Sequence, residues 1–266
     1  MEHISSLQNP RIKSAIKLRT RRGRDKTRQM IFDGQREMQR ALSSGIELKE
    51  VFCCEVGGDV RMDPDLVERL LTRNIRVTAT PPRVFARIAF GDRTDGIVTV
   101  AATPRRELQQ ISLSDEMTIA VVEGVEKPGN LGAIFRSADA TGVAAIFLVN
   151  QGTDLFNPNT IRSSLGTVFC LPAYELSGAA TLGWLRQHDF QIVATQVDAQ
   201  QAYTKISFAR RTALVLGSEM DGLSPQWNDE SVTPVSLPMC GIADSLNVSA
   251  TAAVLFYEVL RQKQQP

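Results

Sequence analysis

Three short segments of this chain combine residue types that could do chemistry with glycines that could bring a ligand close to backbone. In Lys127-Pro-Gly-Asn-Leu-Gly-Ala-Ile-Phe-Arg-Ser-Ala138, Asn130 lies six residues before Arg136. In Leu214-Val-Leu-Gly-Ser-Glu-Met-Asp-Gly-Leu-Ser224, an apolar stretch ending at Leu216 and Gly217 runs into a loop that carries Glu219. In Leu237-Pro-Met-Cys-Gly-Ile-Ala-Asp-Ser-Leu-Asn-Val-Ser249, Ser245 and Asn247 precede a long segment with apolar residues at helical spacing. A guanidinium normally stays protonated, so Arg136 suits the stabilisation of an oxygen that becomes negative; acting as a base would require its unusual deprotonated form. Glu219 has two functional readings, pairing with Arg136 or holding a substrate, and one structural reading as a cap on nearby amides. Asn130, Ser245 and Asn247 stand at predicted helix starts, where capping and substrate binding are both open. The only histidines, His3 in the N-terminal tail and His188 at a predicted helix end, are poorly placed to serve as a base.

Gly129 and Gly132 beside a predicted strand end invite a dinucleotide reading, but the full glycine fingerprint is missing. The next strand also closes on Asn150, where a ribose-binding acid would be expected. An adenosine cofactor without phosphate, held by backbone groups of glycine-permitted loops, fits better. S-adenosylmethionine meets that description, and its sulfonium leaving group makes a metal unnecessary.

The elements that must position these segments are legible in the hydrophobic pattern. Apolar runs predict strands over 117–122, 144–149, 191–197, 213–217 and 233–237, and 3.6-residue periodicity predicts helices over 130–141, 158–165, 179–187 and 245–262. Alternation of this kind implies a parallel sheet covered on both faces, with ligands beyond the carboxyl ends of its strands. All three segments begin where a predicted strand ends. The first half reads as a smaller α/β unit over 30–102, followed by a polar linker over 103–112 and the larger domain over 113–266.

Before residue 30 the chain concentrates positive charge. Between Arg11 and Arg28, the cations Arg11, Lys13, Lys17, Arg19, Arg21, Arg22, Arg24, Lys26 and Arg28 face a single acid, Asp25, although the whole chain nets only +1. Residues 1–29 therefore read as a basic extension suited to phosphate backbones, with Asn9-Pro10 opening a short helix. The apolar content of 43% allows real cores, and no apolar run approaches the roughly 20 residues that span a bilayer. A cytoplasmic protein is expected. The adjacent Cys53 and Cys54 and the isolated Cys170 and Cys240 match neither a disulfide framework nor zinc-ligand spacing.

The three segments closely resemble motifs 1, 2 and 3 of the SpoU (TrmH-type) RNA methyltransferases of the SPOUT superfamily. The matching pieces are Asn130-Leu-Gly-Ala-Ile-Phe-Arg136, Leu216-Gly-Ser-Glu-Met-Asp-Gly-Leu-Ser224 and Ser245-Leu-Asn-Val-Ser249, in that order. Phe32-Asp-Gly-Gln-Arg-Glu37 and Asp95-Gly-Ile-Val98 look like the small substrate-binding domain, similar to ribosomal protein L30e, that often precedes the catalytic one. The resemblance implies a C-terminal α/β fold tied in a deep trefoil knot, whereas periodicity alone implies an ordinary open sheet. It implies S-adenosylmethionine bound through Leu216, Gly217, Leu237, Ile242 and Leu246. It also implies catalysis by Arg136 with Asn130, Glu219, Ser245 and Asn247, and a homodimer in which motif 1 of one subunit approaches the cofactor of the other. The implied reaction is 2′-O-ribose methylation of RNA, with ribosomal RNA favoured over transfer RNA. Arg19, Arg21, Arg22 and Arg24, with Arg162 and Ser164, are the expected RNA contacts. A silent RNA-binding or ribosome-assembly protein on the same fold is the alternative, disfavoured by retention of the five motif residues.

Overall fold

The computed structural model describes residues 1–90, 96–150 and 152–264, so Asp95 lies outside the described residues. The chain divides into two compact units, one of Met1–Arg105 with Leu155–Cys170 and one of Arg106–Asp154 with Leu171–Pro266.

In the first unit the chain runs β1 (Glu2–His3), α1 (Pro10–Lys17), α2 (Arg21–Thr27), β2 (Gln29–Asp33), α3 (Gln35–Ser43), β3 (Leu48–Val56), β4 (Asp59–Val60), α4 (Pro64–Thr72), β5 (Arg76–Thr80), α5 (Pro82–Ile88) and β6 (Ile97–Ala102). Its sheet has the order β1-β5-β3-β6-β2, with β4 paired to β3. The segment expected as a basic extension is part of this unit. Asn9 caps α1 by accepting from the Arg11 amide at 2.9 Å, Pro10 sits in its first turn, and Ile12, Ala15 and Leu18 are buried in the unit's core. Arg11 is consumed by this packing: its Nε donates to Glu50 at 3.0 Å, and its terminal nitrogens reach Glu2 and Thr78. The short helix expected after Asn9-Pro10 forms, and its apolar stripe belongs to a core. The missed elements here are β1 and β4, of two residues each and too short for a periodicity to register, and α2, which carries no apolar residue.

The second unit contains β7 (Met117–Glu123), α6 (Pro128–Ala140) and β8 (Ala145–Val149). The chain then contributes α7 (Pro158–Ser163) and α8 (Thr167–Cys170) to the first unit. It returns for β9 (Ala173–Leu176), α9 (Gly178–Gln187), β10 (Gln191–Thr195), β11 (Arg211–Leu216), β12 (Val232–Val235) and α10 (Val248–Lys263). All strand pairings are parallel, in the order β12-β10-β11-β7-β8-β9. β7 and β8 are buried at every position, as strands covered on both faces must be. β9 escaped sequence reading because an edge strand of four residues with Glu175 in it needs no apolar run. Val248, Ala252, Leu255, Phe256 and Val259 bury one stripe of α10, each contributing about 1.5–3 kcal/mol where the side chain is large. Helices α6 and α10 pack on one another, which brings their N-termini, and the motifs they carry, together.

Candidate active site

The loop after β11 closes on itself. Ser218 and Gly222 exchange backbone hydrogen bonds at 3.0 and 3.2 Å, and Gly222 takes a positive φ of 65° that suits glycine. A Cβ on Gly217 would meet the Gly222 carbonyl oxygen at 2.4 Å and the Leu223 nitrogen at 2.8 Å. The bareness of Gly217 is therefore required first by the loop's own closure. The ligand-approach reading of that glycine is secondary to this internal contact.

Closure presents Glu219 to both helix N-termini. Its carboxylate accepts from Asn130 Nδ2 at 2.9 Å and from Lys127 Nζ at 3.0 Å, and it also receives Asn247 Nδ2 and the Val248 amide. Asn247 caps α10 with its other atom, Oδ1, which accepts from the Ser249 amide at 3.0 Å. Capping thus orients the amide so that Nδ2 points at Glu219 and, at 3.2 Å, at Asn130 Oδ1. Asn130 is not a cap: α6 starts at Pro128, and Asn130 uses its side chain entirely within this cluster. The bond from Lys127, with its charge, holds the Glu219 carboxyl below its ordinary range, helped by the Val248 amide and Asn130. A carboxylate so depressed is a poor general base and a good tether. The expected Glu219–Arg136 pair is not formed; Lys127 pairs with Glu219 instead.

Beyond the carboxyl ends of β10, β11 and β12 lies a cleft of about 910 Å³. Gly217, Leu237, Ser245 and Leu246 line it, with Glu219 at its edge. A smaller recess of about 60 Å³, lined by Lys127, Asn130 and Gly124 among others, also borders Glu219. The three segments thus converge at a strand-end crevice, where open parallel sheets bind ligands.

Residues 117–257 match the SpoU rRNA Methylase family, and residues 9–99 match the MRM3-like substrate binding domain. The chain belongs to the SpoU rRNA methylase family. A Bacillus subtilis 23S rRNA guanosine 2′-O-methyltransferase is 27% identical over 97% of this chain and 99% of its own. A solved RNA 2′-O ribose methyltransferase is 38% identical with a TM-score of 0.85, covering 99% of this chain and 100% of that one. A Sinorhizobium meliloti rRNA methyltransferase solved with bound AdoMet has a TM-score of 0.88 at 27% identity, covering 100% of this chain and 99% of that one. This SpoU-family chain is accordingly an RNA methyltransferase.

Its cleft fits the family's methyl donor, S-adenosylmethionine. The volume suits a nucleoside carrying an amino-acid arm, and the walls mix apolar Leu237 and Leu246 with open backbone at Gly217 and Gly241. Two expected cofactor residues turn their side chains away from the cleft, although their neighbours Gly217, Gly241 and Ala243 line it. Leu216 is fully buried in the sheet, paired with Val122 of β7, and the Ile242 side chain points into solvent while Gly241 and Ala243 form the wall. Arg136 is exposed on α6, lines neither recess of its own chain, and forms no ion pair among the described residues.

Sequence reasoning missed Glu123, the last residue of β7. Only 4% exposed, its carboxylate accepts from the Ser224 amide and Trp227 Nε1, both at 2.9 Å. It also accepts from Ser224 Oγ at 2.8 Å, Asn150 Nδ2 at 2.9 Å and Gln226 Nε2 at 3.2 Å. Among the described residues its partners are all neutral donors, and they fasten the far end of the Glu219 loop to the sheet. The available signal was an acid closing the apolar run Thr118-Ile-Ala-Val-Val122.

The expected RNA contacts divide. Arg22 is exposed, Arg21 is exposed with Asp25 at 3.8 Å, and Arg19 is exposed but spans Phe90 at 4.8 Å and donates to the Arg87 carbonyl at 3.0 Å. Arg162 is half-buried at the end of α7. Arg24 and Ser164 are corrected to structural roles: Arg24 is 5% exposed and donates to the Leu18 carbonyl at 2.9 Å, and Ser164 is fully buried and donates to the Ile161 carbonyl at 2.9 Å. Helix spacing places Arg24 on the inward side of a two-turn helix, which a count of charges does not register.

Proposed function

We propose that this chain methylates a ribose 2′-oxygen of ribosomal RNA with S-adenosylmethionine as donor, working as a cytoplasmic homodimer through its second unit. The observation that carries the reading is the junction of Asn130, Glu219 and Asn247, which ties the three motifs together at the mouth of the strand-end cleft. When bound there, the donor supplies a methyl group on a positively charged sulfur. The chain's own residues then do the rest. Glu219 holds the loop and both helix N-termini in register, Ser245 contributes a hydroxyl to the cleft wall, and Leu237 and Leu246 exclude water from the adenosine. Arg136 stabilises the 2′-oxygen as it loses its proton to phosphate or water.

The exposed, unpaired guanidinium of Arg136, outside its own chain's cleft, supports action at the cleft of a second copy. Exposed Met220, Ile242 and Tyr257 support a surface that such a copy covers. The trefoil knot belongs to the same reading. Among the described residues no helix is long and apolar enough to cross a membrane.

The test is incubation of the full chain with labelled S-adenosylmethionine and ribosomal or transfer RNA, followed by mapping of ribose methylation. Label on a ribosomal RNA ribose is expected; cofactor binding without label on any RNA would favour the silent binder. Arg136→Ala should lower turnover on the order of 10²- to 10³-fold with cofactor affinity retained. Near-normal turnover would remove Arg136 from the chemistry.

A further inference from the structure

The walls of the large cleft are electrostatically one-sided. Among the residues that line it are Asp198, Glu219, Asp221 and Asp244, and none is a lysine, arginine or histidine. The chain as a whole carries 30 basic and 29 acidic residues, so this bias is local. Glu219 is offset by Lys127 at 3.0 Å. Asp198, Asp221 and Asp244 form no ion pair among the described residues. They come from three separate connections, after β10, after β11 and between β12 and α10, and all three open on the same space.

We propose that Asp198, Asp221 and Asp244 make the cleft selective for the cationic, methyl-bearing cofactor over its neutral demethylated product, so that methyl transfer itself loosens the spent cofactor. The inference rests on the S-adenosylmethionine reading above. The donor carries a sulfonium, an ammonium and a carboxylate, and is a net cation. In the transfer, a bond forms between the 2′-oxygen and the methyl carbon, and the carbon–sulfur bond breaks with its electron pair left on sulfur. The 2′-proton departs to water or phosphate. S-adenosylhomocysteine remains with a neutral thioether and no net charge. Its apolar and hydrogen-bonding surface is almost that of the donor, so shape discriminates little between them. Charge does, because three carboxylates, Asp198, Asp221 and Asp244, outnumber the single guanidinium, Arg136, that a second copy brings, and the remaining negative field attracts the first and is indifferent to the second. The carboxylates need not touch the sulfur, since a unit charge about 10 Å away in a water-exposed cleft changes affinity about two-fold.

Calorimetric titration of the full chain with S-adenosylmethionine and with S-adenosylhomocysteine tests this, in the wild type and in the triple variant Asp198→Asn/Asp221→Asn/Asp244→Asn. The variant should bind S-adenosylmethionine on the order of 5- to 10-fold more weakly, with S-adenosylhomocysteine changed by less than about two-fold. Raising salt from about 0.05 to 0.5 M should shrink the wild-type preference and leave the variant's ratio nearly constant. An identical ratio in the two proteins, or a wild-type ratio indifferent to salt, would overturn the inference while leaving the cofactor reading intact. Failure of the wild type to bind either compound would overturn the cofactor reading and this inference with it.

Discussion

Replacing Glu123 by methionine keeps the side-chain length and removes every acceptor. Two of its five donors cannot turn away: the Ser224 amide is backbone, and Trp227 Nε1 belongs to an indole that is 1% exposed. A buried donor left without an acceptor costs about 1–3 kcal/mol, so the methionine variant should lose about 2–6 kcal/mol. Glutamine differs. Its single carbonyl oxygen can keep the two fixed donors, while Asn150, Gln226 and the Ser224 hydroxyl rotate to accept from its amide, so a loss of about 1–2 kcal/mol is expected. At about 2–4 °C per kcal/mol for a domain of this size, thermal unfolding should fall by about 4–24 °C for Glu123→Met and clearly less for Glu123→Gln. Because Ser224 ends the loop that carries Glu219, the methionine variant should also weaken S-adenosylmethionine binding measured below its transition. Equal unfolding temperatures for methionine and wild type, or equal losses for methionine and glutamine, would refute the acceptor argument.

Gly217→Ala should disrupt the loop, since the new methyl would sit 2.4 Å from a carbonyl oxygen; cofactor affinity should fall at least as far as with Leu246→Ala, and an unchanged affinity would show that the loop opens freely. Glu219 titrates below its ordinary value of 4.5, so its tethering is complete above that value and is lost as pH falls through the lower folded value. Cofactor affinity should therefore stay level from about pH 8 to 5 and decline only in more acidic solution, and a decline centred near neutrality would contradict this assignment. Arg22→Ala with Lys26→Ala should reduce the salt dependence of RNA binding by about 0.7–0.9 for each phosphate that is no longer neutralised, seen in affinity measured across a salt series; an unchanged slope would return that face to simple solvation. Arg24→Ala should instead lower the unfolding temperature, because its hydrogen bond to the Leu18 carbonyl anchors α2 to the end of α1.

Residue types and spacing alone reveal the longer strands, the long helices and the three motifs. Those features are local: a run such as Ala145-Ile-Phe-Leu-Val149, short, apolar throughout and rich in β-branched and aromatic residues, reads as a strand buried on both faces. Edge strand β9 and helix α2 were not legible, since β9 is a four-residue strand without an apolar run and α2 carries no apolar residue to mark a face. Nor was the division of labour among the charged residues. Tertiary structure alone decided that Lys127 pairs with Glu219, that Glu123 fastens the loop carrying Glu219, and that Arg11 and Arg24 serve the core while Arg22 faces solvent. Partners such as Glu123 and Trp227, or Asn130 and Asn247, are about a hundred residues apart in the chain. Hydrogen bonds and ion pairs tolerate errors of only a fraction of an ångström, and for Asn130, Glu219 and Asn247 it is the packing of α6 on α10 that sets the distances.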